Sequence, residues 1–476
     1  MFPMLRPDKK LNNILIRYFV LVICITVSIL TIDFSNHYFK FLFLLPLLYG
    51  ILFVFIPQFL NGMTLKTPGF FILNLVMIFR YLVLPLALKY GGYYRDVPTS
   101  HINSINAAIL LMIVELLTIG ICIYFFSKIY KLGSGNIELL ELENPNKKQK
   151  NFLILVALAS FLLIILSDTS ILNRFSFISI EEGYSHHDRN EQISAGTLSS
   201  LALNWFRLLF PIYWIKICKD LYSKTNKIYW AYVSTLVPVL SLLFFSGMSR
   251  SSILIPALVL CVILGRTFPM IRRKMYTIIL STCVFSVTVL TIFKTFNTSS
   301  VSEGFSMMDM KWLSNTLEAY FGGVYNVAIA IDTRSVFNND INVHTLLSDL
   351  FSSWMGIGAL FRDHYSTSEF FNIVFYGGNI TLDQVVPTIG SSYLIFGMLG
   401  SMIFTIAFVW LICLFEKMYQ KESTIELAYL YGFSTIQCAF NLPGNFSIIC
   451  SYLLNTFIPL YLLFKLNELI ILKRKQ

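Results

Sequence analysis

An all-α polytopic integral membrane protein is the fold class that this sequence predicts, with about twelve transmembrane helices and one large outside loop containing amphipathic helices. Three observations predict it. Of 476 residues, 56% are hydrophobic and only 13% are charged, whereas a soluble globular domain carries about 25% charged residues. The deficit is concentrated in twelve apolar runs, each close to the ~20 residues that a helix needs to cross the hydrocarbon core. Finally, the Lys and Arg residues alternate between rich and poor connecting loops.

The runs lie at about 14 to 33, 40 to 60, 70 to 90, 105 to 127, 151 to 167, 198 to 217, 229 to 246, 251 to 265, 276 to 294, 387 to 415, 425 to 442 and 446 to 466. The first is long and lacks a small-residue cleavage pattern, so it is expected to stay as a span rather than to leave as a signal peptide. Short polar breaks at Gly247 to Arg250 and Pro443 to Asn445 predict tight hairpins at one membrane face. With the N-terminus in the cytoplasm, 24 of the Lys and Arg fall in inside loops and 10 in outside loops. By the positive-inside rule this asymmetry places both termini in the cytoplasm. The formal charge of +10 is accounted for in the same way, and its scatter over short loops argues against a nucleic-acid partner.

Two outside segments are longer than connectors, 168–197 and 295–386, and the rest of 1–476 reads as a single membrane domain. A loop of the second one's length usually carries function or structure of its own. Within it, Leu313, Leu317, Tyr320, Phe321, Val324 and Ala328 recur at helical spacing over Met310 to Ile331, and Val343 to Trp354 repeats the pattern. Both are expected to be amphipathic helices lying on the outer leaflet or capping the bundle. All eight cysteines lie in or beside apolar runs without CxxC spacing, so they read as small buried hydrophobes rather than as disulfide or metal sites.

Arg250 is the most informative polar residue. In Ser246-Gly247-Met248-Ser249-Arg250-Ser251-Ser252 the chain turns at Gly247 and enters an apolar run with Ser249 as N-cap. A helix start offers free N–H groups to an anion, and a guanidinium among serines suits a phosphate. The alternative is an arginine that snorkels to the headgroups. Arg80 and Arg207 fall inside apolar spans, where a cation costs ~2.5–3.5 kcal/mol. Glu115 is the candidate counter-ion, either for a structural pair or for a polar pathway. Among the loop histidines, His364 is the candidate general base, although most loop histidines are simply solvated. Residues 295–386 hold nine acids against three bases, a balance that suits sugar hydroxyls better than anions. Glu318 is the acid of choice there, against the alternative of a solvated helix face. No metal-ligand spacing occurs, and no cofactor is expected.

Two segments resemble the Wzy-type oligosaccharide repeat-unit polymerases, the O-antigen and capsule polymerase family. Ser246 to Leu254 is similar to the family's Ser-Gly-Ser-Arg-Gly turn, with Met248 inserted and Ser251 in place of the glycine after Arg. Pro387-Thr388-Ile389-Gly390-Ser391-Ser392-Tyr393-Leu394-Ile395-Phe396-Gly397-Met398-Leu399-Gly400 is similar to its Pro, Gly, Tyr, Phe-Gly, Gly run. The layout of spans, inside termini and a late outside loop also matches along almost the whole chain. The resemblance implies a metal-independent, membrane-embedded glycosyltransferase of the bacterial cytoplasmic membrane. Its substrate would be an undecaprenyl-pyrophosphate-linked oligosaccharide in the lipid bilayer, with a chain-length regulator and a flippase as candidate partners. It also implies that Arg250 binds pyrophosphate. Arg189, Arg334 and Arg362 are further substrate-binding candidates from their location, as are Ser249, Arg80 and Arg207. Three alternatives stay open: an O-antigen ligase, another lipid-linked-sugar glycosyltransferase, and a non-enzymatic flippase of lipid-linked glycans.

Overall fold

The structure, a computed structural model, describes residues 9–33, 39–92, 102–132, 156, 159–160, 162, 175–176, 197–243, 245–246, 251–298, 310–354, 356–361, 363–378 and 384–472. These residues are helical throughout their regular structure, apart from one two-residue antiparallel bridge that pairs Phe175–Ser176 with Phe245–Ser246. Five helices are long and apolar enough to cross a membrane: Asn12–Ile32, Pro68–Gly91, Asn103–Tyr130, Ile403–Lys421 and Phe446–Glu468. A sixth candidate is the pair Ile253–Thr267 and Pro269–Thr288, bent by 119°. The protein is thus an α-helical membrane protein. Of the expected span at 151–167, only Val156, Ala159, Ser160 and Leu162 are described, all helical, and of loop 168–197 only Phe175, Ser176 and Thr197.

The chain divides into two compact units. The first comprises Met1–Ser134, Met307–Leu414 and Cys438–Cys450, and the second Gly135–Ser306, Phe415–Gln437 and Ser451–Gln476.

In the first unit Lys9–Ile32 packs on Leu44–Phe55, where Gly50 lets Cys24 approach: a Cβ on this glycine would lie 2.7 Å from the Cys24 Cβ. The expected span at 40–60 is shorter as a helix, because the chain leaves helical geometry at Ile56 and resumes at Pro57. The span expected at 70–90 runs as Pro68–Gly91 but widens into a π turn at Phe79–Val83, around Arg80.

The region expected as one run at 387–415 is two helices, Thr388–Gly400 and Ile403–Lys421, with Gly397 at φ +70 in the first. Only a glycine adopts that conformation without strain, so Gly397 sets the kink. The first of these helices is the shorter at 13 residues, and its Thr388 to Ser392 stretch is fully buried.

The expected amphipathic helix over 310–331 is likewise divided, into Met310–Phe321 and Val324–Val336. The divider is Gly322, at φ +52 and so close to its neighbours that a Cβ would sit 2.5 Å from the Pro443 carbonyl oxygen. Val324–Val336 does not lie on a surface. Its Val324, Asn326, Val327, Ala328, Ile329, Ala330 and Thr333 are all buried, and it packs on Ile102–Tyr130 and Thr388–Gly400. Small residues at Ala328 and Ala330 permit that close approach on more than one side. Val343–Phe351 follows, and then Thr367–Phe375, each opened by a capping box. Ile329, Ala330, Phe370, Phe371, Phe375, Val386 and Leu394 join Val324–Val336, Thr367–Phe375 and Thr388–Gly400 in one apolar core.

In the second unit Thr197–Thr225 packs on Tyr229–Val233 and on Leu236–Leu243, and Ser251–Thr267 packs on Arg272–Thr298. Across both units seven of the eight cysteines, Cys218, Cys261 and Cys438 among them, are buried free thiols, and Cys122 is half-buried.

Candidate functional site

The polar centre of the first unit is built from two spans and the 310–336 segment. Arg80 stands in the π turn and is 2% exposed, and Glu115, in the 102–130 helix, is fully buried. Arg80 Nη2 donates to Glu115 Oε2 at 2.7 Å, and the Tyr81 hydroxyl donates to the same oxygen at 2.8 Å. Glu115 is therefore the partner of Arg80, as its place in the sequence predicts. The other guanidinium nitrogen, Nη1, donates to the Phe321 carbonyl at 3.1 Å. Phe321 is the last helical residue before Gly322 and also stacks on Phe79, at 5.0 Å between ring centroids. An intramembrane ion pair is thereby tied to the end of the 310–321 helix.

One turn back from that end stands Glu318, 2% exposed. The expected alternative of a solvated helix face is thus overturned: the side chain turns inward under the start of the next helix. Its Oε1 accepts from the Val324 N–H at 3.1 Å and its Oε2 from the Tyr325 N–H at 3.2 Å. The first N–H groups of a helix lack intrahelical partners, and the two oxygens of this side chain accept from them. Gly323 makes room for it, since a Cβ there would fall 2.4 Å from Glu318 Oε2. Burial pushes the Glu318 carboxyl above the usual carboxylate range, against the amide donors and the Arg80 charge, which pull it down. Asn326 extends the junction by donating to the Glu318 carbonyl and to the Val385 carbonyl, both at 3.2 Å.

The 441–445 hairpin closes the same junction. Thr388 Oγ1 donates to the Gly444 carbonyl at 3.0 Å, and Asn445 Oδ1 accepts from the Val386 N–H at 2.5 Å.

Farther along the segment, Asp349 is buried and holds the start of the 367–375 helix. Its Oδ1 accepts from the Thr367 N–H at 3.1 Å and its Oδ2 from the Thr367 hydroxyl at 2.7 Å. Burial raises this carboxyl too, opposed by both Thr367 bonds. The adjacent Ser366 and Glu369 cap that helix reciprocally, a Ser-x-x-Glu signature legible in the sequence. His364 is exposed and its ring stacks on that of His344, with centroids 4.6 Å apart and planes at 25°. Residues 344 and 364 are far apart in sequence, so no spacing rule could have paired them.

Arg334 has a different setting. Its Nη1 donates to the Tyr393 carbonyl at 3.1 Å and to the Leu394 carbonyl. Those carbonyls precede the Gly397 break, where helical acceptors lose their intrahelical donors, so Arg334 acts as a clasp on the helix end. Arg207 belongs to the second unit, half-buried and electrostatically coupled to Tyr429. Arg189, Ser249, Arg250 and Arg362 lie outside the described residues.

The structure thus brings together Arg80 and Glu318 among the expected site residues, through Phe321 and the 324–325 amides. It adds Tyr81, Asn326 and the Gly322-Gly323 pair, which no spacing in the sequence singled out. Among the described residues no group of three or more His, Cys, Asp or Glu side chains is arranged to hold a metal ion. Comparison with protein families, with curated proteins and with solved structures finds no match for this chain.

Proposed function

We propose that the protein is a membrane-embedded glycosyltransferase that joins undecaprenyl-pyrophosphate-linked oligosaccharide repeat units into a polymer at the outer face of the bacterial cytoplasmic membrane. The observation that carries this reading, beside the two likenesses in sequence, is the character of the 310–378 segment. It holds four helices, two of which share an apolar core with Val386 and Leu394, and its carboxylates are held at helix starts. A protein that only moves a lipid-linked glycan across the bilayer has little need of such a body at one face. An enzyme must enclose sugars and exclude water from them.

The finer topology, about twelve spans with both termini cytoplasmic and an outside loop over 295–386, belongs to the same proposal. The contacts within each unit support it, because they pair ends that the charge pattern assigns to one face. In the first unit outside-assigned Lys40 meets Asn106, Lys89 meets Leu30, and Ser104 meets Asp332. Inside-assigned Tyr130 meets Trp410. In the second, inside-assigned Lys216 pairs with Glu426, Lys219 with the Thr267 carbonyl, and Arg266 with the Tyr419 and Glu422 carbonyls. Miscounting a single span would set several of these partners on opposite faces.

In this reading Arg250 neutralises the pyrophosphate leaving group, with Ser249, Arg189 and Arg362 as further substrate contacts. His364, with its exposed ring, is the general base. Glu318 is a positioning residue, since both its oxygens are engaged by backbone amides, and Arg80 and Arg334 hold helix ends.

Clean deletion in the native host, followed by sizing of lipid-linked glycans, tests the reaction. Single repeat units that are exported but never lengthened are expected. Units trapped on the cytoplasmic side would instead identify a flippase, and undiminished polymer would remove the proposal. Arg250→Ala at matched expression should cost roughly 10²–10³ in rate, the scale of one lost charge-stabilising contact. Arg250→Lys should recover only part of it, because an ammonium lacks the bidentate fork.

A further inference from the structure

Three successive exposed cations stand at the corner between Ser251–Thr267 and Arg272–Thr298. The two helices are joined through Pro269–Ile271. Phe268 and Ile271 turn inward there, 3% and 6% exposed, while Met270 between them is 73% exposed. Arg272, Arg273 and Lys274 then form the first turn of the second helix, all exposed, and that turn contains no acid. Cations are disfavoured at this end of a helix, where the dipole is positive and N–H groups are unpaired. Three in succession also repel one another, so the arrangement calls for an anion from outside the chain.

The neighbouring loop adds to the same surface. The Tyr222 hydroxyl meets the Met270 sulfur at 3.6 Å, and the Tyr222 ring stands edge-on to Phe268. Just beyond it Lys224 and Lys227 are exposed, as are Ile228 at 50% and Tyr229 at 62%. Asp220 is the acid of this loop, and Lys224 engages it at 3.1 Å. Apolar tips ringed by cations are the signature of a surface that sits in the headgroup layer. From the corner the second helix buries a single stripe, Met275, Ile279 and Cys283, and leaves Ile278, Leu280, Val284 and Phe285 exposed. Apolar surface therefore continues away from the cations as acyl chains continue from a headgroup.

We propose that this corner is a binding site for an anionic phospholipid. The phosphate is held by Arg272, Arg273 and Lys274 at the helix start, and the acyl chains lie along the exposed face of Arg272–Thr298. The site depends on the protein being embedded in a membrane and not on what reaction it performs.

The test is native mass spectrometry of the full-length protein released from nanodiscs of equal phosphatidylglycerol and phosphatidylcholine. The wild type should retain phosphatidylglycerol in preference. Combined Arg272→Gln, Arg273→Gln and Lys274→Gln should abolish the preference, at roughly fivefold per cation near a membrane surface. A charge-matched variant with Lys40→Gln, Lys66→Gln and Lys128→Gln, three exposed lysines of the first unit, should keep it. Equal loss in both variants would mean a general charge effect and overturn the site, as would a wild type without preference. Displacement of the lipid by millimolar inorganic phosphate would overturn it in favour of a free-anion site.

Discussion

The Arg80 junction and the Arg272 corner hold cations under opposite conditions. At the first, a guanidinium in a span is met by Glu115 and the Phe321 carbonyl, Tyr81 donates to the same carboxylate, and Arg80, Tyr81 and Glu115 are shut away from solvent. At the second, three cations follow one another at a helix start, exposed and without an acid in the turn. A charge that must be buried is compensated from within the chain, because hydrocarbon offers no other partner. A charge at the interface can leave compensation to the headgroups. The two regions should therefore respond to substitution with different magnitudes and even different signs.

The largest effect is expected at the ion pair. Arg80→Met strands the Glu115 carboxylate and should lower stability by ~3–5 kcal/mol, the cost of breaking a buried pair from one side. Combining it with Glu115→Leu should recover most of that loss, since an apolar replacement of the whole pair is often neutral. Thermal unfolding in one detergent measures both. A double variant as unstable as the single would mean that the Phe321 contact, rather than the pair, carries the stability.

Next comes the hinge that Arg80 anchors. Gly322→Ala adds a Cβ at φ +52 and 2.5 Å from the Pro443 oxygen, so about 1–3 kcal/mol should be lost by overpacking. Little or no change would show that the 441–445 hairpin yields easily.

Glu318 offers a test by pH. Its carboxyl lies above the usual range in the folded protein, so the folded state binds the proton more tightly than the unfolded one. Stability is then fully present below the ordinary glutamate range and declines as pH rises through the raised value, by at most about 1.4 kcal/mol per pH unit for one group. Unfolding midpoints measured from acid to neutral pH should fall in the wild type, and the slope should flatten in Glu318→Gln. Asp349 shifts in the same direction and accounts for the slope that remains. An unchanged slope in Glu318→Gln would mean that this carboxyl is ionised in the folded protein.

Much of this was legible in the sequence, and the remainder has physical reasons. Helical fold class and membrane embedding follow from apolar runs alone. The Arg80–Glu115 pair was foreseeable because an intramembrane cation demands a partner and few acids lie within spans. The breaks at Gly322 and Gly397 were not foreseen, because hydrophobic periodicity continues across a glycine whether or not φ turns positive. The burial of Val324–Val336 was also hidden, since an amphipathic pattern records one apolar face and says nothing of alanines packing on the other. The chemistry of Glu318 marks it in the sequence, yet its inward turn depends on the missing Cβ of Gly323. That is a tertiary fact without a local signal.

The smallest effect separates the two regions by its sign. Removing cations from the start of Arg272–Thr298 relieves their repulsion from the helix dipole, worth ~0.3–1 kcal/mol for each charge at an exposed end. In detergent without anionic lipid, Arg272→Gln with Arg273→Gln and Lys274→Gln should therefore unfold at a slightly higher temperature than the wild type. Adding phosphatidylglycerol should raise the wild type's midpoint and leave the variant nearly unmoved, reversing their order. The Arg80→Met variant, whose lost partner lies inside the protein, should gain from the lipid as the wild type does. A wild type that is the more stable without lipid would mean that the three cations are compensated within the chain, and the distinction between the two regions would fail at the corner.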